Sequence, residues 1–366
     1  MSLKIHHILI LSITFPIITF AQSDSSWSKK PTISFGGFAD AYYVYDFNKP
    51  EISKRQPFLF NHNRHNEFNI NLALLQVAVD HEKYRAKIGL QSGTYPQDNY
   101  AAEASVYRSV YEATVGVSLN NKNNLWLDAG IFPSNLGFES AISMDNMTLT
   151  RSLAAESSPY FLTGAKLTYN PTEKLELAAL VSNGWQRIER LSGNSIPSFG
   201  TQVNYQLTEG INLNWSTFIG SEYPDAFRRM RYFNNFYGIF ELSKKWNAIL
   251  GFDVGVEQRR KHSSQYSSWF VPTGILQYVH NEKWKFAARG EYIEDRSEVV
   301  VLQALNRTDG IWGASLNMDY SPVQNVVCRL EARYLGNTDS VNDELLLDSP
   351  YTTFFIGSSL AIKFGE

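Results

Sequence analysis

Arg329, Glu331 and Arg333 stand at every second position of one short segment, and Arg289 and Glu291 do the same in another. Alternate residues of an extended chain share a face, so each set puts both signs of charge on one side of a strand. Lys87, Glu112, Asp128 and Asp253 fall in the same phase of their own segments, with Arg85 and Glu176 beside them. Around water, such a wall would orient polar solutes in a transverse field and sort ions by sign. The plain alternative is a wall solvated by neutralising ion pairs, because one exposed pair contributes little. Arg289, Glu291, Arg329, Glu331 and Arg333 form the densest group, on segments two strands apart.

Other chemistry is thin. Nucleophilic catalysis needs a histidine beside a serine or an acid. Of 7 histidines, His6 and His7 lie in an N-terminal segment expected to be removed. His62, His65 and His262 fall in connections, His81 in a tight turn and His280 at a strand end. His62-Asn63-Arg64-His65 approaches the spacing of a metal pair, but no cysteine or paired acid completes a ligand set; a solvated loop is expected. No glycine-rich nucleotide motif or metal helix occurs. The reading is no catalytic residue, no metal and no cofactor. A formal charge of −3 gives no reason to expect a nucleic-acid partner.

The elements that must position these charges are strands. In 245–257, Trp246, Ala248, Leu250, Phe252, Val254 and Val256 share one phase, while Asn247, Gly251, Asp253, Gly255 and Glu257 share the other. The same period recurs along the chain and predicts about sixteen strands, an even number as in single-chain outer-membrane barrels. Among them are 106–119, 174–186 and 283–296. Connections alternate between tight polar turns and long segments, the latter at 47–65, 94–105, 133–159, 187–197, 221–230, 258–267, 297–309 and 337–351. That rhythm fits short periplasmic turns and longer extracellular loops, and not a soluble Greek key. Of 13 prolines only Pro272 falls inside an expected strand. The fold expected is all-β: a transmembrane antiparallel up-and-down β-barrel, one domain over 22–366.

Composition agrees. Aromatics make up 14% of 366 residues, an excess suited to girdles at two membrane interfaces, with Trp246 and Trp284 just after tight turns. Mean hydropathy is −0.27, and beyond residue 21 no apolar run approaches the ~18 residues of a spanning helix. Apolar phases expected to face lipid include Tyr84, Ala86, Ile88 and Leu90, and Tyr107, Tyr111, Val115, Val117 and Leu119. Cys328 is the only cysteine, so no intrachain disulfide can form; its phase places it on the lipid side. At the N-terminus, Lys4, the apolar run Ile8 to Phe20 and Thr19-Phe20-Ala21 read as a cleavable secretory signal over 1–21.

One connection stands apart. The segment 133–159, framed by residues 132 and 160, carries Glu139, Asp145, Arg151 and Glu156. Loops of ~27 residues in a compact fold are usually functional. We read it as a candidate constriction loop folded into the lumen; the alternative is an outward surface loop.

The stretch 130–186 carries Gly130-Ile131-Phe132-Pro133, Gly137-Phe138-Glu139-Ser140, Asp145-Asn146, Arg151-Ser152, Ser158-Pro159-Tyr160, Thr163-Gly164, Leu167-Thr168-Tyr169 and Asn183-Gly184-Trp185-Gln186. These motifs resemble those of the OmpL-like family of β-barrel porins of Gram-negative outer membranes, and the barrel pattern continues over about 32–366. The resemblance implies an outer-membrane channel. The C-terminus departs from a common pattern, since Phe364 is followed by Gly365 and Glu366 where many such barrels end on an aromatic. The function expected is passive diffusion of small hydrophilic solutes or ions through a water-filled lumen. Expected partners are outer-membrane lipid, such solutes, the barrel-assembly machinery and further copies of the chain. A barrel hydrolase and a surface structural or adhesin barrel are the competing classes.

Overall fold

The structure, a computed structural model, describes residues 29–51, 53–301, 310–337 and 352–365. The signal segment 1–21 and most of the connections 297–309 and 337–351 lie outside these residues. The strands are β1 (Thr32–Asp46), β2 (Phe68–Asp80), β3 (Tyr84–Ser92), β4 (Val110–Ser118), β5 (Leu125–Pro133), β6 (Phe161–Thr172), β7 (Leu175–Ser182) and β8 (Ser198–Thr208). They continue as β9 (Ile211–Gly220), β10 (Arg231–Ser243), β11 (Trp246–Gln258), β12 (Tyr266–Val279), β13 (Trp284–Ile293), β14 (Ile311–Val323), β15 (Val326–Asn337) and β16 (Thr353–Gly365). Each pairs antiparallel with its neighbours in sequence, and β16 pairs with β1, which closes the barrel. Closure removes the edges that an open sheet would present to lipid.

The barrel is apolar outside and polar inside. On β11, Leu250 is 60% exposed whereas Asp253 is 1% exposed. Phe35, Leu75, Ile88, Val115, Leu316 and Leu360 also face outward. Aromatic pairs ring both ends. Trp246 lies 4.9 Å from Tyr278 and Trp284 4.6 Å from Tyr320 near the tight turns; Tyr43–Phe68 (4.9 Å) and Trp312–Tyr334 (4.8 Å) lie near the long connections. Rings with polar tips gain from apolar contact and hydration together at that depth. Cys328 is exposed and unpaired on the outer face.

Three expected segments differ in detail. Strand β4 starts at Val110, after a 3-10 turn over Tyr107–Ser109. The register slips there: Gly89 pairs with Glu112 but Leu90 with Val110, a bulge at Tyr111. An extra residue reverses the phase locally, so Tyr111 is buried inside and Tyr107 packs against the same inner cluster. The sequence period alone puts both on the lipid face, and the bulge overturns that. Strand β7 stops at Ser182, because Gly184 (φ 154°) and Gln186 (φ 57°) turn the chain away. Strand β13 stops at Ile293. Pro272 sits within β12 where the ladder to β13 is interrupted, between the Phe270–Glu294 bridge and the Thr273–Glu291 pair, so its missing N–H breaks no ladder bond there.

A cation placed on the lipid face at mid-height should cost roughly 2–4 kcal/mol. We expect Leu250→Arg and Leu316→Arg each to lower folded yield into vesicles, read by heat-modifiable gel mobility. Asn212→Arg, on the inner face of β9, should fold as well as the parent. Equal yields for all three would refute the assignment of faces.

Candidate functional site

Long connections fold inward from one end. L1 (47–67), L2 (93–109) and L3 (134–160) do most of this. L2 carries helix α1 (Thr94–Asn99) and L3 carries a 3-10 turn (Ser143–Asp145) and a short helix α2 (Leu153–Glu156).

Five of the sequence-selected residues meet L3. The N–H groups of Thr150 and Leu153 donate to Glu331 Oε2 (2.6 Å) and Glu291 Oε2 (2.7 Å). Arg289 donates to Thr148 Oγ1 (2.9 Å) and the Thr150 carbonyl (2.6 Å). Arg333 donates to the Arg151 carbonyl (2.9 Å), and Arg329 to the carbonyls of Ser143 and Asn146. The same groups pair among themselves: Arg289 with Glu331 at 3.0 Å and Glu291 at 3.2 Å, Arg333 with Glu291 at 2.7 Å, and Arg329 with both oxygens of Asp319 at 2.8 and 2.9 Å. All five face inward, but each is at most 6% exposed. They lie beneath L3 and not against open water.

The loop residues have separate partners. Glu139 Oε2 accepts from Ser152 N (2.9 Å), and its other oxygen lies 4.0 Å from Arg289. Glu156 accepts from Phe60 N (3.1 Å), Asn61 N (3.3 Å) and the Tyr160 hydroxyl (2.8 Å), tying L1 to L3. Burial lifts the Glu156 carboxyl above its ordinary range, opposed by the Tyr160 hydroxyl and the charge of Arg151. Asp145 pairs with Lys363 at 2.7 Å. The Arg151 guanidinium lies over the Tyr160 ring at 4.2 Å and donates to the Glu139 carbonyl at 2.9 Å.

The remaining wall charges lie elsewhere. Lys87 pairs with Glu112 at 3.1 Å, and Arg85 grips Asp128 with two bonds of 2.7 and 2.5 Å. Asp253 has no basic partner among the described residues. It accepts from Asn235 Nδ2 (2.5 Å), and Asn235 in turn accepts from Gly137 N (3.0 Å), so Asp253 steadies the start of L3.

The sequence reading missed L1. Phe58 and Leu59 insert into an inner apolar cluster with Leu136, Leu153, Phe233 and Trp269. His62, expected in a solvated loop, is 1% exposed. Its Nε2 lies 2.8 Å from Asp40 Oδ2, and Ser143 Oγ donates to the same oxygen at 2.7 Å. Serine and histidine share an acid here; neither activates the other. L1 has an apolar triplet, Phe58-Leu59-Phe60, in a polar connection, and that was the available signal. Among the described residues no cluster of three or more His, Cys, Asp or Glu could hold a metal.

Three cavities follow the side of the lumen opposite the L3 contacts. One of about 360 Å³ opens near the loops, lined by Tyr160, Trp185, Arg187, Glu222 and Arg231. The next, about 250 Å³, is lined by Tyr111, Arg151, Ser158, Tyr160 and Tyr237, and shares Ser158 and Tyr160 with the first. The third, about 540 Å³, opens near the tight turns, lined by Arg85, Lys87, Glu112, Asp128, Lys166 and Glu176. Its lining continues that of the second along the strands, with Glu112 following Tyr111 and Phe132 preceding Pro133.

A closed sixteen-strand barrel with a lipid-compatible exterior, a polar interior and a loop held inside it defines a porin-type outer-membrane channel. The chain belongs to the family described as Putative beta-barrel porin-2, OmpL-like, whose profile matches residues 32–364. Solved barrels share the fold at low identity. The outer membrane channel DcaP of Acinetobacter baumannii aligns at TM-score 0.62 and 11% identity, over 92% of this chain and 98% of that one. An anion-selective porin from Comamonas acidovorans aligns at TM-score 0.62 and 6% identity, over 92% and 100%. OmpT of Vibrio cholerae in its trimer form aligns at TM-score 0.60 and 10% identity, over 92% and 100%. No curated protein matches the sequence.

Removing one member of a buried ion network leaves its partners unpaired and costs about 3–5 kcal/mol. Glu331→Ala should therefore lower the temperature at which the folded gel band converts to the unfolded one, and should make L3 cleavable by protease. Lys87→Ala, from a pair whose lysine is 41% exposed, should leave that temperature nearly unchanged. Matching shifts in the two variants would contradict the burial difference.

Proposed function

We propose that the protein is a passive pore for small hydrophilic solutes, and that the solute path runs through the three adjoining cavities, past L3 on the β4–β10 side. The observation that carries this is their alignment, two sharing Ser158 and Tyr160 and the third continuing the lining from Tyr111 to Glu112. In this reading L3 is the constriction, with Arg151 facing the path and Glu139, Asp145 and Glu156 holding the loop. Lys87, Glu112 and Asp128 line the wide periplasmic vestibule with charges of both signs. Arg289, Glu291, Arg329, Glu331 and Arg333 act by placing L3, and Asp253 by placing its first turn.

The same reading includes cleavage of 1–21 on export from a Gram-negative cytoplasm and insertion by the barrel-assembly machinery. It includes assembly as a homo-oligomer, supported by the trimer form of the similar OmpT barrel. It includes no catalysis. His62 and Ser143 both bond to Asp40 and neither activates the other, so this trio does not support the hydrolase class.

The path can be tested with single cysteines in a Cys328→Ser background. Ser158→Cys lies where two cavities meet, whereas Ser315→Cys lies on the inner face of β14 behind L3. In planar bilayers the parent should conduct. A charged methanethiosulfonate reagent should cut the conductance of Ser158→Cys several-fold and leave Ser315→Cys unaffected. The opposite pattern would put the path on the β13–β15 side, and absence of conductance in every refolded sample would remove the pore reading.

A further inference from the structure

The arginines that point into the loop half of the lumen nearly all meet a carboxylate. Arg289, Arg329 and Arg333 do so as described; Arg55 lies 3.5 Å from Asp46 and Arg231 lies 2.7 Å from Glu257. Arg151 differs. Among the described residues no carboxylate comes within 4.0 Å of its guanidinium, whose hydrogen bond is the one to the Glu139 carbonyl. The nearby carboxylates have other partners: Glu139, on the same cavity wall, accepts from Ser152 with one oxygen and sets the other 4.0 Å from Arg289, and Glu156 is held by L1 and Tyr160. Arg151 is nevertheless 4% exposed, and it lines the cavity of about 250 Å³, the smallest of the three on the proposed path. Its other N–H donors have that cavity as their outlet.

We propose that this cavity is a selectivity subsite for sugar acids, meaning hydroxylated carboxylates of about monosaccharide size. The inference rests on the solute path argued above. A desolvated guanidinium with no carboxylate in direct contact keeps unfilled hydrogen-bonding capacity, and a solute carboxylate would fill it with paired hydrogen bonds. The rest of the lining fits the body of such a solute. Tyr111 and Tyr237 offer rings and hydroxyls, and Ser140 and Ser158 offer further hydroxyls, which suits the C–H and O–H faces of a sugar skeleton. A neutral sugar would leave Arg151 with no carboxylate in direct contact. An inorganic anion would leave the rings and hydroxyls unused. At the mouth Arg187 and Arg231 are paired, with Glu222 at 3.2 Å and Glu257 at 2.7 Å, and Lys166 shares the vestibule with Asp128 and Glu176, so mixed-sign walls flank the subsite on both sides and a solute anion can leave it either way.

Gluconate and glucose form a size-matched pair for the test. Uptake of each, radiolabelled, would be measured in proteoliposomes at low salt, with valinomycin to balance charge. Calorimetry would follow binding to the refolded protein in detergent. We expect gluconate to enter several-fold faster than glucose, and to bind where glucose and chloride do not. Arg151→Gln should bring the uptake ratio to one or below and abolish binding; Arg151→Lys should restore part of both. Heat-modifiable mobility checks that each variant is folded. If neither solute enters, the pore reading itself fails. If both enter equally, or Arg151→Gln keeps the preference, the pore stands and this subsite falls. Chloride competing as well as gluconate would also overturn it, leaving a simple anion site.

Discussion

The inner half of this barrel depends on one interaction, the packing of an irregular loop backbone against buried charges on β13–β15. L3 has little secondary structure to satisfy its own N–H and C=O groups. The wall supplies the missing partners. Carboxylates of Glu291 and Glu331 accept the N–H groups of Leu153 and Thr150, and guanidinium groups of Arg289, Arg329 and Arg333 donate to four loop carbonyls. Arginine suits this role because its planar fork serves a carboxylate and a carbonyl together. Such a network adds little to net stability compared with an apolar core, but it fixes where the loop can lie.

Apolar contacts then lock what the charges have placed. Leu136 and Leu153 of L3 and Phe58 and Leu59 of L1 join wall residues Phe233, Trp269 and Ile293 in one cluster. Two glycines make the wall shallow enough. A side-chain carbon at Gly251 would strike the Phe138 ring of L3, and one at Gly255 would strike Trp269. Glycine costs a strand some stability, and here it provides close approach. L2 adds a strap across the top: Arg64 and Lys54 of L1 both pair with Asp98 at 2.7 Å, and Glu103 accepts from Ile188 N at 3.2 Å. Burial works to raise the Asp98 carboxyl, but these bonds hold it below its ordinary range.

Strands, closure, faces and girdles were legible because each follows from period two and tight-turn chemistry, which are local. What was hidden was tertiary. The bulge at Tyr111 changes the phase by a single residue, and nothing near 106–119 marks it. The inward fold of L1 depends on Asp40 and Asn71, which meet His62 from β1 and β2, the two strands that L1 joins. Wall charges could be assigned to the lumen from phase alone, yet their partners could not. Alternation gives the face of Arg289 and Arg329, and only the path of L3 decides whether that face meets water or a carbonyl.

That distinction divides residues of one chemical type into two electrostatic classes. Lys87 and Arg85 keep 41% and 39% of their side chains exposed, so salt screens their fields over about 8 Å at physiological strength. Arg289 and Arg333, at 0% and 1%, sit in a medium that screens far less, but their fields end on Glu291 and Glu331 within 3.2 Å. A passing ion therefore feels little of the densest charge cluster in the sequence. Selectivity has to come from charge that is desolvated and not already compensated, and such charge is scarce by design of the clamp. The same loop that consumes the wall arginines through its backbone carries Arg151 on its far side. Clamping L3 on β13–β15 and presenting the Arg151 guanidinium to the opposite channel are thus two consequences of one loop path.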